Sequence, residues 1–482
     1  MDQTTASITT NADSKPSIWR KVGYGFGDMS SSMFWKIFSF FLPFFYSNIF
    51  GLTLVDAGLL MLITRIWDAV SDPMMGIICD RTNTRWGKYR PYLLWIAIPF
   101  AVCGVLLFTT PDGSYTIKLI WAYATYILMM TCYTAINVPY GAMLDVITPS
   151  SSEKTVYSSY RMFFAYAGSF IALLSWEPLC RAFAHVDSST PLEKCGPQAW
   201  QMAMFVIGAA CAILFIFCFL MTREVVKTKS ESSVGNDFKH LLTNGPWWLM
   251  NGVAIFNNFY NIIRGSSVAY LFANIIGGSV EIQIFTFVLT AGVYLCIGEL
   301  VNMVSVPLAV PLANRLGKKN TFMLSLVVII ASCILFWFCP ATVGGVWAMV
   351  ALQVIFSVAM GIISPLVWSM YADVANYYEL INKTASTGLI FSSASMAQKF
   401  GSAFGGAAVM WILAAFDYNT AQGAVQTEEA LYGIRAMMSF IPAALAGVAM
   451  LLLWFYPLTT SRINDIEERL AVQRAEQAKQ QA

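Results

Sequence analysis

Apolar stretches of about twenty residues or more follow one another along nearly the whole chain, separated by short polar segments. A helix needs about 20 apolar residues to cross the roughly 30 Å hydrocarbon core of a bilayer. The pattern therefore predicts twelve membrane-spanning helices, with approximate cores at 24–50, 56–79, 92–110, 117–144, 156–176, 200–221, 246–274, 283–313, 321–339, 345–371, 386–415 and 430–457.

Composition agrees with this pattern. Hydrophobic residues make up 57% of the chain and charged residues 12%, and the mean hydropathy is +0.61. These values are typical of an all-α polytopic membrane protein whose surroundings are a lipid bilayer. The first 22 residues lack the apolar core of a signal peptide. The net charge of +2, with no basic domain, predicts no nucleic-acid partner.

Lysine and arginine residues fall mostly on one side of the predicted spans. That side holds Arg20, Lys154 and Arg223 among many others, whereas the opposite side holds little more than Lys118, Arg181 and Lys194. Because basic loops resist export, both termini are expected in the cytoplasm and the protein in the cytoplasmic membrane.

A polar segment divides the spans six and six. The predicted organisation is a tail at 1–22, a bundle at 23–221, a linker at 222–245, a second bundle at 246–457 and a tail at 458–482. The halves resemble each other, since GIICDRTNTRWGKYRP follows span two and PLANRLGKKN follows span eight. Two repeated six-helix bundles, with a substrate site between them near the midplane, are the architecture of the major facilitator fold.

Two acids lie inside the second span, in RIWDAVSDPMMG. Asp68 and Asp72 are one helical turn apart and so share a face. Two carboxylates at membrane depth cannot both ionise cheaply unless something positive lies between them. The alternatives are a site for a travelling cation, or structural ion pairs with Arg65 or Arg161.

Lys36 and Arg264 are bases within the first and seventh spans. Buried bases in a membrane are costly and usually functional. With Arg161 and Lys399 they would give the cavity an excess of positive charge, which favours an anionic substrate such as a uronide. Alternatively, Lys36 pairs with Asp28 or extends to water.

The loop after span two could control opening on the cytoplasmic side. Arg81, Arg85 and Lys88 can reach helix ends and acids, and Gly87 allows a tight turn. The alternative is that these basic residues only set the topology.

Cysteine and histidine residues add little chemistry. Cys180 and Cys195 share the long outward loop, where a disulfide is possible but not required. His185 and His240 lie in loops, which leaves no histidine for an intramembrane metal site. Motifs of membrane hydrolases and ATP-driven pumps are absent, so an enzyme is not expected.

Five motifs together resemble the glycoside–pentoside–hexuronide:cation symporter family: YGFGDMSSS, RIWDAVSDPMMG, DRTNTRWGKYRP, YTAINVPYGAM and QKFGSAFGGA. The resemblance implies a transporter, expected to be a monomer without a cofactor, that couples uptake of a saccharide to Na⁺ or H⁺. A sodium-coupled lysolipid symporter, which shares the scaffold and the acid pair, is the alternative.

The resemblance also implies site residues. The cation ligands would be Asp68, Asp72 and Thr134, with Ser71 where a galactoside carrier of the family has asparagine. The residues implied or considered for saccharide binding are Ser32, Trp35, Lys36, Tyr133, Asn137, Arg161, Arg264, Trp368 and Lys399. Ser32 and Asn137 replace two acids of that carrier, which puts its substrate in doubt here. Asp373, in YADVANYYELINKTAS, resembles a gating residue, or belongs to a solvated helix end.

Overall fold

The computed structural model describes residues 17–148, 151–187, 190–225, 241–276, 283–284, 287–382, 387–421 and 424–481. Most of the predicted linker and of the amino-terminal tail, together with His240, therefore lies outside the described residues.

Six helical segments form the first half. They are α1 (Ile18–Phe40), α2 (Leu54–Arg81), α3 (Arg90–Trp95, continued as Ala97–Leu107), α4 (Tyr115–Ile147), α5 (Ser151–Ala184) and α6 (Pro197–Met221). Short segments follow α1 at Leu42–Phe44 and Phe45–Phe50, the latter a π-helix, and a 3₁₀ turn at Leu192–Lys194 precedes α6.

The second half repeats this order. Its helices are α7 (Gly245–Leu271, with a π-helical end at Phe272–Ile276), α8 (Ala291–Ser305, continued through Val306–Leu308 as Ala309–Leu316), α9 (Lys318–Phe336), α10 (Val343–Asn382), α11 (Thr387–Ala415) and α12 (Glu428–Met438 with Phe440–Trp454). A tail helix, α13, covers Thr460–Gln481.

Several helices begin at a side chain that caps the first turn. Thr53 accepts a hydrogen bond from the Asp56 backbone N–H at 3.2 Å, and Asn244 accepts one from Trp247 at 3.1 Å. Thr427 does the same at the start of α12, where Glu428 adds a negative charge. These side chains satisfy amides that have no partner inside the helix.

The predicted boundary of span eight is wrong. The apolar pattern predicted that span eight begins at residue 283. In the structure, Gln283–Ile284 (β1) pairs antiparallel with Phe287–Val288 (β2). Thr290 then caps α8, which starts at Ala291. Apolar character alone does not separate a short strand from a helix end, because a run of a few apolar residues is too short to show either period.

Seven of the described helices are long and apolar enough to cross a membrane by length and composition. The acid-bearing α2 falls outside that set because charged residues interrupt its apolar run. Helix α10 extends beyond the predicted core at 345–371, and Asp373 lies on it as a buried residue, so the alternative of a solvated helix end is wrong.

The two bundles share a hydrophobic core at one end. We call the end at which α1 begins and α12 finishes the terminal face, and the opposite end the distal face. One hydrophobic cluster runs through the first bundle and continues into the distal parts of α7 to α12, whereas the parts of those helices near the terminal face form a separate cluster. The interface between bundles is therefore packed on the distal face.

Named contacts agree with this arrangement. Ser266 Oγ donates to the Ser39 carbonyl at 2.8 Å, and Asn48 donates to the Tyr418 hydroxyl at 2.8 Å. Glu177 of α5 accepts from the Gly292 backbone N–H of α8 at 2.6 Å. The central region thus opens toward the terminal face.

Candidate functional site

The acid pair lies where α2 faces α4 and α11. Thr134 Oγ1 is 3.1 Å from Asp68 Oδ1 and 3.0 Å from Asp72 Oδ1, and Ser71 Oγ is 3.2 Å from Thr134 Oγ1. Because one hydroxyl has one proton, Thr134 can donate to only one carboxylate at a time. Oxygen atoms from four residues therefore converge, which is the kind of ligand that a hard cation prefers.

The ammonium of Lys399 already lies against this oxygen cluster. Its Nζ contacts Asp72 Oδ2 and is 3.4 Å from Asp68 Oδ2. Arg65 adds a weaker contact, 3.9 Å from Asp68 Oδ2. Two groups that can carry positive charge thus lie beside the two acids.

Exposure distinguishes the two acids. The Asp68 side chain is fully buried, whereas that of Asp72 is 30% exposed. An ion or proton arriving from the central region would therefore meet Asp72 first. Within the described residues, no group of three or more His, Cys, Asp and Glu could hold a metal, so a bound ion would rely on the two carboxylates and the hydroxyl groups.

The alternative pairing of the acids with Arg161 is not found. Arg161 binds Asp28 at 2.5 Å, and its guanidinium lies 4.9 Å from the centre of the Tyr140 ring. Nearby, Ser31 donates to Asn137 Oδ1 at 2.6 Å. Ser32 of the same α1 helix is half-buried.

Lys36 pairs with an acid that sequence reasoning missed. Its ammonium is 2.5 Å from Glu299 Oε1 of α8. Asp28, the partner considered from sequence, is occupied by Arg161 instead. The predicted excess of positive charge is therefore not found around Lys36, Arg161 and Lys399, because each has a carboxylate partner.

A polar cavity of about 190 Å³ lies beside the Lys36–Glu299 pair. The first bundle contributes Lys36 and Tyr166. The second contributes a larger polar wall, consisting of Asn257, Asn258, Asn261, Glu299, Asn302, Ser364, Trp368 and Gln398. This is the type of lining that can bind a ligand rich in hydroxyl groups.

The two predicted tryptophan platforms differ. The Trp35 ring is covered on its faces, since the Arg65 guanidinium lies 4.5 Å from it and the Tyr133 ring centre is 5.2 Å away. Trp368 lines the cavity and stacks on Phe391 at 6.1 Å. Only Trp368 is thus placed beside the cavity.

The structure places Arg264 inside the second bundle instead of among the cavity residues. It is 3% exposed, donates to Gln353 and lies 4.1 Å from the centre of the Phe356 ring. Aromatic faces stabilise a buried guanidinium, which explains the position without a substrate. Arg264 follows the cavity residue Asn261 by three residues on α7, so it lies about one helical turn beyond the lining residues.

Three predicted gating residues lie at the end of α2 or in the loop that follows it, and the fourth, Asp373 of α10, binds the matching loop after α8. Glu224, at the end of α6, accepts from the backbone N–H groups of Lys88, Tyr89 and Arg90 at 2.9, 2.7 and 2.7 Å. Arg81 and Arg85 are exposed, and Arg85 lies over the Trp86 ring.

In the second half, Lys318 Nζ binds Asp373 at 2.7 Å. Lys319 donates to the carbonyls of Trp454 and Tyr456, both at 2.7 Å. Each loop is therefore anchored to its own bundle, and these contacts do not bridge the bundles.

Cys180 and Cys195 are buried free thiols, so the possible disulfide is not formed. Burial raises the pKa of the Cys195 thiol above its ordinary value. Less thiolate is then present at neutral pH, which slows oxidation.

Sequence reasoning missed Glu299 and the asparagine residues of α7. A usable signal was present for Glu299, since an acid within a span is rare and usually has a partner. The asparagine residues gave a weaker signal, because amides occur in many membrane helices.

Comparison with known proteins also indicates a transporter. The family model described as MFS/sugar transport protein matches residues 23–460. The curated protein named "Putative glycoside/cation symporter YagG" of Escherichia coli is 35% identical over 459 residues, covering 95% of each chain. The isoprimeverose transporter of Lactiplantibacillus pentosus is 30% identical, covering 94% of this chain and 92% of its own.

Solved structures agree on the fold. A bacterial homologue of the human peptide transporters PepT1 and PepT2 superimposes with a TM-score of 0.67 at 13% identity, covering 94% of this chain and 99% of that one. The nucleoside transporter NupG gives a TM-score of 0.62 at 14% identity, covering 91% and 100%. Fold, motifs and full-length relatives together show that the chain belongs to the glycoside–pentoside–hexuronide:cation symporter family of the major facilitator superfamily, and that it is a transporter, not an enzyme.

Proposed function

We propose that this protein is a monomeric symporter of the cytoplasmic membrane, with both termini in the cytoplasm, that couples Na⁺ or H⁺ influx to uptake of a neutral glycoside or oligosaccharide. The observation that carries the proposal is the contact of Lys399 with both acids of α2, next to a polar cavity between the bundles.

The contact suggests how the ion and the sugar are coupled. The Lys399 ammonium and an incoming cation need the same carboxylate oxygens, so they compete. Binding of Na⁺, or protonation of Asp72, releases the ammonium. Lys399 follows the cavity residue Gln398 in the chain, and its released ammonium can then donate to sugar hydroxyl groups.

This competition also favours ordered transport. If neither ion nor sugar is bound, Lys399 holds α11 against α2. If only the ion is bound, a lysine charge lacks its partner at membrane depth, at a cost of several kcal/mol. Ion and sugar together satisfy all the charges, so the fully loaded protein passes most easily between its two facing states.

The charge balance favours a neutral sugar. Lys36, Arg161 and Lys399 are paired with Glu299, Asp28 and the α2 acids, and Arg264 is not among the residues that line the cavity. An anionic uronide in the cavity would meet Glu299, and the base that lines the cavity, Lys36, is already paired with that acid. The named relatives include an isoprimeverose transporter, which supports a saccharide, and no observation favours a lysolipid.

The test is ligand-dependent thermal stability of the purified protein with a panel of neutral saccharides, with and without Na⁺ and across pH. We expect one class of sugar to raise Tm only when the cation is present. Asp72→Asn should remove that cation dependence, because one carboxylate ligand is lost. Asp112→Asn, at an exposed loop position, is the matched control.

Equal stabilisation by sugar with and without any cation, at every pH, would overturn cation coupling. Greater stabilisation by a uronide than by its neutral analogue would overturn the neutral substrate.

A further inference from the structure

Three exposed arginine residues of the first bundle lie at the terminal face. Arg81 ends α2, Arg85 lies in the loop after it, and Arg223 follows the end of α6. None of them forms an ion pair with an acid in the part of the chain that the structure describes. Arg85 lies over the Trp86 ring, 4.6 Å from its centre. These three charges are therefore directed to the surface and not into the protein.

The matching loop of the second half uses its charges differently. Lys318 binds Asp373 at 2.7 Å. Lys319 donates to two carbonyl groups at and just after the end of α12, both at 2.7 Å. Membrane topology requires basic residues on this side, but it does not distinguish between the two loops. The outward charges of the first loop indicate that it has an anionic partner outside the protein.

Arg85 and Arg223 are brought close together by contacts between the loop and α6. Glu224 accepts from three backbone N–H groups of the loop, at 2.7 to 2.9 Å. Arg90 Nε donates to the Phe219 carbonyl at 2.8 Å. Arg223 directly precedes Glu224, and Arg85 lies three residues before the first of those amides, with about 3.8 Å between consecutive Cα atoms. Their two long side chains can therefore reach one phosphate group, while the Glu224 carboxylate is held by the amides.

An apolar surface leads from these arginine residues into the membrane, where α3 packs on α6. The two backbones approach closely, since a Cβ added to Gly208 would lie 3.3 Å from the Ala101 carbonyl oxygen. We call this surface the α3–α6 seam, and its side chains follow one another at helical spacing: Trp95, Ile98 and Val102 on α3, with Phe205, Ala209, Ala212, Ile216 and Leu220 on α6. Ile98 is 63% exposed and Leu220 is 60% exposed, so the seam is open to lipid.

The seam widens into a groove of about 340 Å³ that is lined by apolar residues alone. Small side chains, those of Ala101, Ala209 and Ala212, contribute to its lining and leave the space open. Ile98, at the near end, follows Arg90 by eight residues, which is about 12 Å along a helix. The hydrocarbon of one leaflet is about 15 Å deep, half of the roughly 30 Å core. An acyl chain whose headgroup lies at the arginine residues therefore reaches the groove.

We propose that the terminal-face ends of α3 and α6 bind one anionic phospholipid, phosphatidylglycerol, with its phosphate on Arg85 and Arg223 and one acyl chain along the α3–α6 seam into the groove. Guanidinium groups bind phosphate oxygens through paired, charge-assisted hydrogen bonds. The lipid joins the loop after α2 to the end of α6, as Glu224 does, and so stabilises the first bundle. The site requires that the helices span a bilayer, and it is independent of the sugar and of the coupling ion.

The test is native mass spectrometry of the delipidated full-length protein in detergent, titrated with phosphatidylglycerol, phosphatidylcholine or glycerol 3-phosphate. We expect one phosphatidylglycerol to bind at least tenfold more tightly than phosphatidylcholine, whose ammonium group offsets the attraction of its phosphate. Glycerol 3-phosphate, which has no acyl chain, should neither bind nor displace the lipid. Phosphatidylglycerol should also raise Tm, because it binds the folded protein.

The arginine residues are tested one at a time. Arg85→Gln and Arg223→Gln should each weaken phosphatidylglycerol binding about fivefold, the effect of one basic residue near anionic lipid. Binding of phosphatidylcholine should not change. Arg315→Gln, at the exposed arginine of the matching loop, is the control. If it weakens binding as much as the other two, the attraction is general to the basic surface and the site is overturned.

Ala209→Phe tests the acyl chain separately, because the added ring fills the groove without changing any charge. Phosphatidylglycerol binding should fall at least fivefold, while Tm without added lipid should stay the same. Ala351→Phe, at an exposed position of α10, is the matched control and should leave binding unchanged. Full binding by Ala209→Phe would overturn the position of the acyl chain.

Two further outcomes would overturn the whole site. One is equal binding of the two phospholipids, and the other is displacement of phosphatidylglycerol by glycerol 3-phosphate, which would indicate a site for free anions. Neither sugar nor Na⁺ is present in this experiment, so its failure would leave the proposed symport unaffected.

Discussion

At the scale of single residues, the chemistry depends on Lys399. Sequence placed it with the saccharide ligands, but its ammonium contacts the acids of α2, while the preceding residue Gln398 lines the cavity. In that position it is both a counter-charge for Asp68 and Asp72 and a competitor of the coupling ion. A single side chain can thus couple binding of the ion to binding of the sugar.

We predict that Lys399→Gln makes the protein less stable and more dependent on the cation. Removing one partner of a buried ion pair costs about 3 to 5 kcal/mol, because the remaining carboxylates repel each other. Tm without Na⁺ should fall, and the increase in Tm on adding Na⁺ should exceed that of the wild type.

The measurement is a Na⁺ titration followed by thermal unfolding. Lys194→Gln, in the exposed loop before α6, serves as the control. If Na⁺ stabilises Lys399→Gln less than it stabilises the wild type, Lys399 assists Na⁺ binding and does not compete with it.

At the scale of elements, the two loops after α2 and α8 are structural counterparts. Gly87 has φ +114° and Gly317 has φ +84°, a conformation that side-chain-bearing residues rarely adopt. Each glycine precedes a lysine, and each loop is anchored to the last helix of its own bundle. The repeat seen in the sequence therefore serves to close each bundle on itself.

We predict that Gly87→Ala lowers the free energy of unfolding by about 1 to 2 kcal/mol, the cost of a left-handed conformation for an L-residue. Its Cβ would also lie 2.3 Å from the Glu224 carboxyl carbon, which must then leave the loop amides. Gly317→Ala should behave alike, since its Cβ would lie 2.4 Å from Thr460 Oγ1.

Thermal unfolding of the purified variants measures this. Gly447→Ala, inside α12 with open space around the new Cβ, should leave stability unchanged or raise it. Equal stability of all three variants would mean that the loops relax without cost.

At the scale of the whole molecule, the bundles are packed together on the distal face. Glu177 of α5 binds the first turn of α8 and also Arg181 at 2.8 Å. Gly292 allows this close approach, because an added Cβ would lie 2.4 Å from the Leu173 carbonyl oxygen. Transport requires these contacts to separate while the terminal face closes.

We predict that Gly292→Ala shifts the population toward the state that is open on the distal face. The methyl group pushes α5 and α8 apart, which weakens the closed interface. A cysteine at Ser266, fully buried on that face, should react with a maleimide several times faster in the Gly292→Ala background.

The control is Gly344→Ala in the same Ser266→Cys protein, since a Cβ at Gly344 meets nothing within 4 Å. The native cysteines are all buried, which keeps the background labelling low. Unchanged protection of Ser266→Cys would argue against a role for this contact in opening.

Much of the fold could be predicted from the sequence. Length and apolarity determine spans locally, because every backbone amide in a bilayer must be bonded within its own helix. The exception is Gln283–Ile284, which the apolar pattern placed in span eight but which pairs as a strand with Phe287–Val288. The proximity of the two acids could also be predicted, since Asp68 and Asp72 share a helix face.

The partners of the charged groups could not be predicted. Lys399 and Asp72 are 327 residues apart in the chain, and Lys36 and Glu299 are 263 apart. Which base meets which acid depends on how the helices rotate and pack, and local periodicity carries no information on that.

By itself, the sequence determined the twelve spans, the two halves and a pair of acids that need a positive partner. Only the tertiary structure decided that Lys399 is that partner, that Glu299 neutralises Lys36, and that Arg264 packs against Phe356 without lining the cavity. The physical reason is that helix formation in a membrane is a local requirement, whereas charge compensation is satisfied between helices that are distant in the chain.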